Sequence, residues 1–329
     1  MSLIPTVYNS TDPGAPQLTG VVGSLTALLD AVLVDGYGVG ADAKAPAGWS
    51  REFTAPNIRV YRGNPITGTG YRLRVDDSAA IGNARHAWTR GFESMSAADV
   101  GVNPVPTVAQ FANGVLLPKS TTLSTVARRW RVVANELFIY VFIDTASTGR
   151  MFPWFAGDAI SYKPGDMHCF VISNSYVNSW AGDNVSCNGL LAAVGEWISN
   201  VTVDTAGLFV ARSHTGTVGA LRAAHFSVVR DIVYGGNGGA AYPSAVNAGL
   251  LHAPASFLTS SYVPRGELPG FVGVLQLLDF ADGTVLEGVD GFEGEQLLAC
   301  RITKYLNVST SATTSFGSPL LRLGKEWHQ

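Results

Sequence analysis

Few residues in this chain have the types and spacing that chemistry requires. Asp166-x-His168-Cys169 is the one local cluster of ligand or nucleophile types. A thiolate beside an imidazole can be activated, and an aspartate with a histidine can hold a metal. Neighbours along a strand point to opposite faces, so His168 and Cys169 are expected to part. Asp166 then reads as a turn residue after Pro164-Gly165, and Cys169 as a buried thiol. Asp76-Asp77 and Glu293-x-Glu295 are the carboxylate pairs that glycoside hydrolysis would need, set roughly 5–9 Å apart across a cleft. Adjacent carboxylates at a strand end more often terminate pairing and stay solvated. His86, His214, His225, His252 and His328 show no ligand spacing. Gly36-x-Gly38-x-Gly40 follows a helical stretch, whereas a phosphate-binding glycine loop lies between a strand and a helix N-terminus, so these glycines read as a helix stop. No catalytic residue, metal site or cofactor is expected, and the chain reads as a non-enzyme.

The elements that would position these residues are mostly strands. Residues 1–16 form an extended arm ending in the turn Asp12-Pro13-Gly14-Ala15-Pro16, free to add a strand to a neighbour's sheet edge. Leu25, Leu28, Leu29, Val32 and Leu33 recur at helical spacing and make one apolar stripe. Ser24 suits its N-cap and Gly36 its C-terminal stop. Such a stripe must be buried against its own sheet or a neighbouring subunit. Tyr71-Arg72-Leu73-Arg74-Val75-Asp76 alternates apolar and charged residues, as a half-buried antiparallel strand does. Residues 85–99 mix a strand with a short helix near Ser94 to Asp99. A hairpin runs from Trp130 to Ile143 around Asn135-Glu136, and its second arm is apolar on both faces. Further strands are expected at 168–173, 190–194, 207–212, 225–234, 271–278, 297–303 and 320–323. The fold class is mainly β: an antiparallel sandwich or barrel-like arrangement with one N-terminal amphipathic helix and few short helices. A boundary in the Ser/Asn/Gly-rich stretch 174–188 divides an arm, helix and first β domain (1–185) from a second β domain (186–329), unless the two form one continuous β unit.

Composition narrows the function. The chain has 329 residues, of which only 14% are charged, against roughly 25% in ordinary soluble domains. A surface so poor in charge is better tolerated when other subunits cover it. The net charge of −3 offers no footprint for nucleic acid. Cys169, Cys187 and Cys300 cannot all pair and lack CxxC spacing, so they read as small core residues of a reducing compartment. The opening residues lack an export-signal pattern. The longest apolar run, Leu137 to Ile143, is far below the roughly 20 residues a membrane span needs.

Several blocks occur in order along the chain: Asp12-Pro13-Gly14-Ala15-Pro16 with Leu18-Thr19-Gly20, Gly23-Ser24-Leu25 through Leu29-Asp30, and Val34-Asp35-Gly36-Tyr37-Gly38. They continue in Tyr71 to Asp77, Arg90-Gly91-Phe92-Glu93-Ser94-Met95-Ser96, Ser161 to Asp166, and Arg265-Gly266-Glu267-Leu268-Pro269-Gly270. In these blocks the chain resembles the virion structural proteins of tailed bacteriophages, found among tail-tip and baseplate components. The resemblance implies a structural subunit of the virion tail, assembled in the host cytoplasm. Its expected partners are other tail proteins and copies of itself in a cyclic trimer or hexamer, with the host surface as a further candidate. No nucleic acid or membrane insertion is expected. Pro13, Gly14, Pro16, Leu25, Leu28, Leu29, Val32, Leu33 and Gly36 are the structural or interface candidates. The alternative is a receptor- or carbohydrate-binding tail protein using Met151-Phe152-Pro153-Trp154-Phe155, Trp180 or Trp197. A glycan hydrolase using Asp76, Asp77, Glu293 or Glu295 is the third reading.

Overall fold

The computed structural model describes residues 3–149, 151–173, 186–187, 208–218, 222–225, 240–241, 249–250, 252–258, 263–274, 276–277, 280–307, 313–315 and 319–324. The arm contributes β1 (Thr6–Asn9), and Ser24–Leu29 forms α1. Then come β2 (Ser50–Ala55), β3 (Ile58–Arg62), β4 (Arg72–Asp76), β5 (His86–Ala97), β6 (Val100–Val105) and β7 (Val115–Pro118). The central strands are β8 (Arg129–Ala134), β9 (Phe138–Asp144), β10 (Phe152–Asp158), β11 (Ile160–Ser161) and β12 (Phe170–Ser173). They are followed by β13 (Ser186–Cys187), β14 (Leu208–Val210), β15 (Arg222–His225), β16 (Ala240–Ala241), β17 (His252–Leu258) and β18 (Pro264–Val274). The last are β19 (Gln276–Leu277), β20 (Val285–Glu287), β21 (Gln296–Ala299), β22 (Thr303–Asn307), β23 (Thr313–Ser315) and β24 (Leu320–Arg322).

The fold is mainly β and sandwich-like. β2-β3-β4-β5-β6 make one antiparallel sheet, with β7 also on β5. A 13-stranded sheet runs β1-β8-β9-β10-β12-β14-β15-β17-β18-β24-β21-β20, and β11 ties back to β18. The six-stranded sheet and α1 bury Leu73, Val75 and Trp88 against Ile139, Val141, Trp154 and Phe170 of the large sheet. On the opposite side, Phe138, Tyr140 and Phe142 pack with Phe257, Phe271 and Leu298 from the later strands of the same sheet. β9 therefore lies between two cores. Its period-2 alternation sends odd residues to one and even residues to the other, which is why an all-apolar run of this length is a strand here.

The β8–β9 hairpin forms as expected. Asn135 Oδ1 accepts the backbone N–H groups of Leu137 (2.9 Å) and Phe138 (3.2 Å), fixing the turn. β4 keeps its alternation: Leu73 and Val75 are buried, while Arg72 reaches Glu52 at 2.7 Å on the wetter face.

Four expectations change. The helix is α only to Leu29 and continues as a π-helical turn over Asp30–Asp35, where Gly36 N–H donates to Ala31 O at 2.8 Å. Asp30 holds that segment to the sheet, accepting from Arg59 (2.9 Å), Arg51 (3.0 Å) and Tyr61 Oη (3.0 Å). The N-cap is Gly23, in the left-handed region at φ 77°, rather than Ser24, whose hydroxyl donates to Thr19 O at 2.8 Å. Ser94 to Asp99 is no helix: β5 runs through to Ala97, because pairing with β6 overrides local preference. The arm pairs within its own chain, Thr6 opposite Ala134 and Asn9 opposite Arg131, as an edge strand of the large sheet. The boundary near 185, the expected strand at 190–194 and most of that at 225–234 lie outside the described residues.

Candidate functional site

Among the described residues, the carboxylates and the Asp166-x-His168-Cys169 cluster singled out for chemistry have structural roles. The two aspartates at the end of β4 separate. Asp76 accepts from Arg74 (3.1 Å) and from the Ser78 hydroxyl (2.6 Å). Asp77, wholly buried, points under α1: its Oδ2 accepts from Leu25 N–H at 2.8 Å and its Oδ1 pairs with the equally buried Lys119. Lys119 also donates to Val21 O at 2.7 Å. Burial pushes the Asp77 carboxyl up and the Lys119 ammonium down, each against the attraction of the other. The carboxylate serves as the helix cap that Gly23 cannot supply. Glu293 and Glu295 also diverge. Glu293 accepts from Gly291 N–H at 2.9 Å, and buried Glu295 takes both arms of Arg322 at 2.6 and 2.9 Å.

Asp166, His168 and Cys169 part as expected, although the turn before β12 rather than the strand itself separates them. Asp166 accepts from Ser161 Oγ (2.7 Å) and His168 N–H (3.0 Å) and forms an ion pair with the buried Arg265 (2.5 Å), which together hold it below the usual carboxylate range against the effect of burial. Cys169 is buried in the second core, its thiol pushed up to about 12 by desolvation, and Cys300 is in the same condition. Neither thiol is a ready nucleophile.

The ring of His168 turns instead toward a polar seam between the two sheets. Its Nδ1 lies 3.4 Å from Tyr71 Oη and 3.8 Å from Glu93 Oε1. Glu93, on β5, accepts from Arg212 at 2.6 and 2.8 Å and from Asn103 Nδ2 at 2.7 Å. Burial opposes its ionisation, but Arg212 and Asn103 outweigh it and hold the carboxyl below the usual range. Burial, reinforced by the charge of Glu93, raises the Tyr71 phenol well above its ordinary value. Glu93 thus stays an anion and Tyr71 a neutral phenol, and together they bridge β4, β5 and the segments flanking β12 and β14. Sequence reading missed this group. Arg212 is 119 positions from Glu93, and neither stands out from its neighbours. A second latch lies beside it: the loop between β3 and β4 closes on buried Asp158, which accepts from Thr69 N–H (2.6 Å) and Thr69 Oγ1 (2.5 Å). Desolvation raises the Asp158 carboxyl to about 6 despite those bonds.

Leu25, Leu28, Leu29, Val32 and Leu33 are all fully buried in the core beneath the six-stranded sheet, so the stripe is spent within the chain. Pro13 and Gly14 are exposed. Gly14, at φ 75°, packs against Gly38, and Pro16 O accepts from Trp130 Nε1 at 3.0 Å. Gly36 adopts φ 77° where the π turn stops. Met151 through Phe155 are buried rather than a surface patch, because β10 is covered on both faces. Trp180 and Trp197 lie outside the described residues.

Among the described residues no group of three His, Cys, Asp or Glu side chains is placed to hold a metal ion. No described helix is long and apolar enough to cross a membrane. No protein-family model matches the chain, and no curated protein matches it.

Proposed function

We propose that the chain is a non-enzymatic structural subunit of a tailed-phage virion, located in the tail tip or baseplate. It acts through contacts with copies of itself, in a cyclic trimer or hexamer, and with neighbouring tail proteins. One observation carries the reading: among the described residues, the carboxylates and the thiol whose types suggested chemistry are engaged in holding the fold together. Asp77 caps a helix, Glu295 binds Arg322, Asp166 binds Arg265, and Cys169 is core. The ordered sequence blocks in which the chain resembles virion proteins support the same reading, as does the low charge.

The six-stranded sheet offers a contact surface of the required kind. β6 lies at its edge and exposes Val100 (58%) and Val102 (56%), with Val108 (58%) just beyond. An apolar sheet edge is a natural place for another chain to add. Quantitative mass spectrometry of purified particles tests the proposal: the chain should appear at a fixed copy number per virion. Its absence from particles would end the reading.

A further inference from the structure

We infer that the cluster of hydroxyls around Arg128 is a binding site for a compact oxyanion, either free or carried on an acidic polysaccharide. Arg128 is buried, 8% exposed, immediately before β8. Its Nε donates to Ser120 Oγ (3.0 Å), one terminal nitrogen to Ser147 Oγ (2.9 Å) and the other to Thr122 Oγ1 (2.8 Å). Among the described residues no carboxylate lies within ion-pair distance of it, whereas Arg59, Arg72, Arg131, Arg212, Arg265 and Arg322 each face one. A guanidinium withdrawn from water with only neutral acceptors is unfavourable until an anion joins it.

The donors that would receive the anion are in place. Three of the five guanidinium N–H groups are used on hydroxyls, which leaves two. Hydroxyls that accept from Arg128 have their own protons to give elsewhere. Thr122 and Ser124 share one at 2.9 Å, and Ser147 and Thr122 are exposed while Ser120 is buried. Ser147 is held at φ 57°, a conformation that few non-glycine residues adopt. Asp144 fixes that loop by accepting from Thr148 N–H (2.8 Å) and Gly149 N–H (2.7 Å), which spends the carboxylate away from Arg128. A second buried arginine, Arg85, donates to Thr121 O at 3.2 Å on the same segment. Planar forks of this kind favour carboxylate, phosphate and sulfate groups.

The test uses the whole chain in isolation and so is independent of its place in a virion. Calorimetric titration with inorganic phosphate, with polygalacturonate and with neutral dextran separates the sources. Saturable binding of phosphate alone supports a free oxyanion, and binding of polygalacturonate supports a saccharide-borne carboxylate. Ser147→Ala, at an exposed position, should weaken either by about tenfold, the loss of one charge-assisted contact. Arg128→Lys, which keeps the charge but loses the fork, should weaken it further. The inference is overturned if neither anion binds, if dextran binds as tightly as polygalacturonate, or if Ser147→Ala binds like the natural protein.

Discussion

Removing the ammonium of Lys119 would strand the Asp77 carboxylate where water does not reach it. Lys119→Met should cost about 3–5 kcal/mol, the usual penalty for breaking a buried pair from one side, read as a lower denaturant midpoint. Much of that loss should fall on α1, whose first turn the carboxylate caps. Asp158 gives the opposite lesson. Its carboxyl is raised to about 6 in the fold, so the folded state holds a proton that the unfolded chain gives up near the ordinary carboxylate value. The stabilisation is complete below that ordinary value and is lost as pH rises through about 6. Asp158→Asn should therefore flatten the fall in stability between pH 4 and 7, by up to about 3 kcal/mol, while Thr69 keeps an acceptor. Thermal melts across that range would show it, and parallel curves for the two proteins would refute it.

At the scale of elements, the closeness of the two sheets depends on a residue with no side chain. A Cβ at Gly91 of β5 would run into the ring of Phe170 on β12. Gly91→Ala should cost about 1–3 kcal/mol through overpacking. Phe170→Leu in the same molecule should recover part of it, as a double-mutant cycle would measure. Elements whose pattern is local were legible in the sequence: the alternation of β4, the Asn135-Glu136 turn, the all-apolar β9 and the apolar stripe from Leu25 to Leu33. What depends on distant partners was not. The π turn opens at Asp30, which Arg51 and Arg59 hold from remote strands, and the strand through Ser94 pairs with Val102. The Glu93–Arg212–His168 seam joins three remote segments whose residue types alone look like solvated charges and a lone histidine. The burial of Trp154 and Phe155 fits the reading of that apolar run as core: Trp154 enters the core beneath the six-stranded sheet and Phe155 the one on the opposite face.

Among the described residues one polar pattern recurs: several of the scarce charges are placed where segments meet. Asp282 illustrates it, collecting Arg129 at 3.1 Å and Arg131 at 2.9 Å to dock the segment before β20 onto β8. A molecule built this way has little charge left to keep copies apart, in keeping with the assembly role proposed for it. The position of β9 has its own consequence. Wetted on neither face and hydrogen-bonded to strands on both sides, its amides have no local route to solvent. Deuterium uptake should leave residues 138–144 as the last protected segment. Whatever exposes them has opened the entire chain.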